Sequence, residues 1–200
     1  MKSDREREEP LLSVTLDQEL FILWLLTLQG EVGRYRLAKM LDVPQGVARG
    51  ILARMKRRGL ITVRHRTGAS STRKGINQLR SLMKWSRLRS VQRLDEEVLG
   101  LGQEGVIFQV AGCSRKISRG IEQRDAVVRA GATGAVTFIF DGRTLVFPDT
   151  KEPVTKRSPE TFQHLRKRLK MRKGDAVLIA FGNSWWEAAR GGFAAIKTLG

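Results

Sequence analysis

The chain has 200 residues, 41% of them apolar and 28% charged, enough for one large core or two smaller ones. Its 37 Lys and Arg against 20 Asp and Glu leave a net charge of +17, which points to a polyanionic partner. A single cysteine, Cys113, excludes an internal disulfide, and with only His65 and His164 beside it a structural zinc site lacks ligands. The longest apolar run, Leu20–Leu28, falls short of a membrane span, and the first ten residues carry four acids and no apolar signal region. The composition predicts a cytoplasmic protein with no membrane partner.

The charge is concentrated. Residues 34–93 hold 17 Lys and Arg and one acid, Asp42. A surface that is merely solvated intersperses the two signs, so the exclusion of acids marks this block as the polyanion-binding part.

After a charged tail (residues 1–15), Leu16–Leu28 reads as a buried helix with Asp17 as its N-cap and Gly30 at its end. Arg34–Leu41 reads as a short second helix, and Asp42–Gln45 as a tight turn that Pro44 enforces. In a third helix, Gln45–Arg58, Val47, Ala48, Ile51, Leu52 and Met55 recur at helical spacing. Leu60–Arg66 alternates as a strand, Thr67–Ser70 reads as a turn, and Ser71 or Thr72 caps a further helix. That helix is predicted to run long, because Leu82, Trp85, Leu88, Val91, Leu94 and Val98 follow at intervals of three or four. Such a stripe buries against a second copy or against the chain's own C-terminal half.

The stretch LAKMLDVPQGVARGILARMKRRGLITV, followed by STRKGINQLRSL, resembles winged helix-turn-helix DNA-binding proteins over about residues 16–90. The resemblance implies that helix 45–58 enters the major groove of double-stranded DNA. Gln45, Gly46, Arg49, Gly50 and Arg54 are then the base-reading candidates, with the two glycines permitting close approach. Lys56, Arg57, Arg58, Arg64, His65, Arg66, Arg73 and Lys74 are the candidates for phosphate and wing contacts. A two-fold DNA site would pair two copies, so a homodimer is expected.

LDEEVLGLGQEG turns acidic and then glycine-rich, which predicts a first domain over 16–99 and a linker at 100–105. The lone G-x-G-x-x-G inside it precedes a strand rather than following one, unlike a dinucleotide fingerprint. From 106 to 200 the predicted order is strand (Val106–Gly112), helix from Ser114, strand (Ala135–Phe140), an Asp141–Gly142 hairpin to Thr144–Phe147, helix from Ser158, strand (Ala176–Phe181) and a last helix capped by Ser184. That is βαββαβ plus one helix, a ferredoxin-like order, and the fold class is α+β. The whole chain also resembles an uncharacterised archaeal family of regulators with a C-terminal α/β domain of unassigned function. In such a protein this half would serve dimerisation or the sensing of a small-molecule effector.

Gly182, Asn183, Ser184 and Trp185 form a strand-to-helix turn beside two indoles and are the ligand candidates. Gly112–Lys116 is a similar turn with two cations, read as a simple cap, and Cys113 reads as a buried residue. Arg166–Lys173 holds six basic residues in eight, as a second polyanion contact or as the solvated face of a helix. No catalytic set, metal site or cofactor motif emerges, so an enzyme is not expected. The alternatives are an RNA-binding or nonspecific chromosomal protein and, further off, a nucleic-acid-processing enzyme.

Overall fold

The computed structural model describes residues 15–64, 67–94 and 104–199. Among them are eight α-helices and two antiparallel sheets, a mixed α/β architecture. No helix of the described residues is long and apolar enough to cross a membrane.

Helix α1 (Leu16–Gln29) starts from Thr15, whose amide donates to Gln18 Oε1 at 3.3 Å. The predicted N-cap, Asp17, instead lies in the first turn, where the helix dipole favours its charge. Seven successive residues of α1, Leu20–Leu26, are buried, so this helix is covered all round. Helices α2 (Arg34–Leu41) and α3 (Gln45–Arg57) follow. A hairpin comes next, with β1 (Ile61–Arg64) paired antiparallel to β2 (Gly68–Ser71). Val32 exchanges both backbone hydrogen bonds with Ala69 at 2.9 Å, adding a third rung. Gly68 is obligatory there: its φ is +106°, and a Cβ would stand 2.3 Å from the Val32 carbonyl oxygen. Gly68–Ser71 is thus a strand where the sequence predicts a turn.

Helix α4 (Arg73–Trp85) is capped by Thr72, whose hydroxyl accepts from the Gly75 amide at 3.0 Å. The predicted long helix stops here. Ser86 donates to the Leu82 carbonyl, Arg87 turns into the left-handed region (φ +54°), and β3 (Leu88–Leu94) begins. Its helix-like spacing has a simple cause. A bulge between Leu88 and Ser90 inserts one residue, so Leu88 and Val91 share one face of the sheet and Leu94 falls on the other. Only the last two residues of the linker predicted at 100–105 are described. Residues 95–103 lie outside the described ones, and Glu104 and Gly105 already open β4 (Glu104–Val110).

The second sheet has the order β3-β4-β7-β5-β6, with β5 (Gly134–Phe140), β6 (Leu145–Val146) and β7 (Ala176–Gly182). A ferredoxin-like sheet requires the third strand of this half between the first two. Here the last strand, β7, takes that place and pairs antiparallel with both β4 and β5. The reason is compositional. All seven residues of β7 are buried, which only a central strand can satisfy, while the two-residue β6 suffices for an edge. Asp141 closes the β5–β6 connection by accepting from the Arg143 and Thr144 amides at 2.7 and 2.8 Å.

Helices α5 (Ile121–Arg129) and α8 (Trp185–Ile196) cover one face of this sheet. Helices α6 (Val154–Arg157) and α7 (Pro159–Arg168) cover the other, where Phe162 and Leu165 meet Ile107, Phe138 and Ile179. Helix α1 packs on α8 as a third layer, through Phe21–Phe193 at 6.1 Å, Trp24–Phe193 at 5.6 Å and Trp24–Trp185 at 6.1 Å. The two edge-on pairs, Trp24–Phe193 and Trp24–Trp185, each add about 1 kcal/mol beyond the area they bury, and Phe21–Phe193 is tilted at 55°. The basic N-terminal half and the α/β half therefore share one core.

Candidate nucleic-acid interface

The residues that present a basic face begin with the turn before α3. Asp42 ends α2 at φ +56°, and Pro44 caps α3. Helix α3 buries Ala48, Ile51, Leu52 and Met55 and leaves Gln45, Gly46, Arg49, Gly50, Ala53, Lys56 and Arg57 exposed. Arg54 is half-buried. A Cβ on Gly46 or Gly50 would meet nothing within 4 Å. Neither glycine is required by packing or by a positive φ, and each makes the helix less stable by about 0.5–1 kcal/mol.

The face stays cationic because the nearby acids are engaged. The four acids among described residues 15–94 each hold an ion pair: Asp17 with Lys197, Glu19 with Arg58, Glu31 with Arg64 and Asp42 with Arg190. Among the described residues no carboxylate pairs with Arg49, Arg54, Lys56, Arg57, Arg73 or Lys74. Arg73 and Lys74 open α4, where the helix dipole disfavours cations, and no carboxylate among the described residues offsets that placement.

Two of the sequence candidates have internal partners. Arg58 grips Glu19, which is buried and also accepts from Gln78 Nε2 at 3.1 Å. This arginine ties the end of α3 to α1 and is withdrawn from the phosphate set. Arg64 meets Glu31 at 3.3 Å in an exposed pair, which competes only weakly with another anion. His65 and Arg66 lie outside the described residues.

The ligand candidates at the last strand-to-helix turn are also used internally. The Asn183 amide donates to Glu187 Oε2 at 3.1 Å and the Glu187 amide to Ser184 Oγ at 3.4 Å, so the helix start holds the chain's own carboxylate. A Cβ on Gly182 would stand 2.8 Å from the Ala188 amide nitrogen. Trp185 is buried against Trp24 with Arg93 over its ring at 5.0 Å, while Trp186 is only partly buried. The turn at Gly112–Lys116 is similarly occupied. The Gly112 amide donates to Asp175 Oδ1 at 3.2 Å and the Ser114 amide to the Gly174 carbonyl at 3.1 Å. Burial pushes the Cys113 thiol up, against backbone contacts that lower it, so it is not poised as a thiolate. The basic run Arg166–Lys173 ends α7 on the sheet face opposite α1, apart from α3. Among the described residues no group of three His, Cys, Asp or Glu stands close enough to hold a metal ion.

Sequence reasoning missed Arg190. From α8 its Nε donates to the Ala130 carbonyl at 2.9 Å and its Nη1 to the Met40 carbonyl at 3.4 Å, while Nη2 meets Asp42 at 3.4 Å. The α/β half thus holds the turn that aims α3. An arginine inside a glycine- and alanine-rich helix is the signal that could have found it. Arg190→Ala should lower stability by about 1–3 kcal/mol. Hydrogen exchange should quicken at Asp42–Gly46 while the β4 and β7 amides stay protected; uniform quickening would show that the contact does not act locally.

Residues 101–199 match the model of a family described as a domain of unknown function, DUF4443. Among solved structures the chain is similar to "Hypothetical protein PH0730 from Pyrococcus horikoshii OT3", with 22% identity over 94% of this chain and 91% of that one and a TM-score of 0.69. That likeness shows a shared fold. No curated protein matches the chain.

Proposed function

We propose that the chain is a sequence-specific duplex-DNA-binding regulator that reads DNA with α3. The carrying observation is the exposed face of that helix: two glycines that no internal contact requires, flanked by arginines that no acid among the described residues neutralises. Supporting it is the order α2, turn, α3, β1–β2 hairpin, which fits a winged helix-turn-helix with the hairpin as wing. A helix fits the major groove, and glycine in place of a side chain lets its backbone approach the base edges. Gln45 and Arg49 then reach bases, Arg49 in bidentate fashion to guanine. Lys56, Arg57, Arg73 and Lys74 meet phosphates and set the register.

Selection of bound fragments from random duplexes tests this reading. The chain should enrich one motif, and Arg49→Ala should relax a single base position by about 1–3 kcal/mol of discrimination. An unchanged motif would remove Arg49 from the readers, and no enrichment would remove sequence specificity.

A further inference from the structure

A cavity of about 380 Å³ opens where the two halves meet, a size typical of small-ligand sites. Its inner wall is the buried side chains of Leu20 from α1 and Phe193 and Ile196 from α8. Its outer wall carries the indole of Trp85, which is 72% exposed, the cations Arg87, Lys116 and Lys197, and one carboxylate, Asp17. Lys197 already pairs with Asp17. Arg87 and Lys116 have no carboxylate partner among the described residues, and Arg87 makes only a long contact of 3.5 Å to the Gly112 carbonyl.

We propose that this cavity binds a small organic carboxylate with an apolar body. The body lies against Leu20, Phe193 and Ile196, and the carboxylate meets Arg87 and Lys116. Two features select this class together. The apolar wall gains from burying a ring or acyl chain, which a sugar or free phosphate does not offer. The unpaired cations at the opening then favour a negative head over a neutral one. The walls come from α1, the α4–β3 turn, the segment at Lys116 and α8, so an occupant touches both halves at once. The inference stands on the cavity alone and does not depend on DNA binding.

Decanoate titrated into the full chain by calorimetry is the test, with decanol as the uncharged control. One decanoate should bind per chain, and decanol at least tenfold more weakly. Arg87→Gln with Lys116→Gln, both exposed positions that leave the core intact, should weaken decanoate at least tenfold and leave decanol unchanged. Equal decanoate affinity in parent and double variant would overturn the proposal, as would no binding. Binding that appears only after residues 1–14 are removed would also overturn it, by showing the cavity to be filled by the chain's own N-terminal segment.

Discussion

Replacing Gly46 and Gly50 together by alanine is expected to make the protein more stable and a poorer ligand for DNA. Both positions are helical, exposed and surrounded by open space, so a methyl group fits the free protein without strain. Alanine removes the backbone freedom that glycine must lose on folding, and the pair should raise stability by about 1–2 kcal/mol. The same two methyl groups stand where α3 would meet the groove. They should lower affinity for the selected duplex by about tenfold or more, ~1.4 kcal/mol or above. Thermal unfolding and a duplex titration on one sample read both effects. A variant that is more stable and binds as tightly as the parent would show that the start of α3 does not touch DNA.

The identical substitution in α8 should act in the opposite direction. A Cβ on Gly192 would stand 1.9 Å from Cε2 and 2.3 Å from Cζ of Phe108. That ring is fully buried and set edge-on to Phe193 at 5.1 Å, so it has no room to retreat. Overpacking of this kind destabilises by about 1–3 kcal/mol or more. Gly192→Ala should sit at the upper end, with a fall in Tm of roughly 10 °C for a chain of this size. Because Phe108 and Phe193 belong to the core shared by both halves, the loss should appear as one transition. Two separated transitions would show that the halves melt independently, against the common core.

The contrast between these glycines also shows what local sequence can carry. Helix α3 was readable because its apolar spacing, Pro44 and Gly59 are all local signals. Adjacent glycines weaken a helix, so Gly191–Gly192 is a local sign of close packing, but the partner Phe108 lies 84 residues upstream and only the fold brings it there. Strand β3 carries a helix-like pattern because a single bulged residue turns its alternation into a three-residue spacing. The sheet order depended on which strand could be buried on both faces, and β7 (AVLIAFG) carried that information more clearly than the order of elements did. Charge was the least legible layer. Arg58 and Arg57 are neighbours of the same kind, yet one is bound to a buried glutamate 39 residues away and the other faces solvent. The unbroken apolar run Leu20–Leu26 of α1 requires cover on every side, and α8 supplies the side that its own half does not.

In the proposed function a cationic face, whose acids are all ion-paired among the described residues, binds duplex DNA through its phosphates and reads it with α3. The salt dependence of binding to the selected duplex tests it most directly. The four cations assigned to phosphates, Lys56, Arg57, Arg73 and Lys74, have no carboxylate partner among the described residues and should release counterions with a log–log slope of about −3.6. Between 50 and 200 mM salt this is roughly a 150-fold loss of affinity. Charge reversal at Arg57 and Lys74 should flatten the slope by about two units, whereas reversal at Arg58, which serves Glu19, should not be readable in this way. A slope near zero, or one that the Arg57 and Lys74 reversals leave unchanged, would contradict the claim.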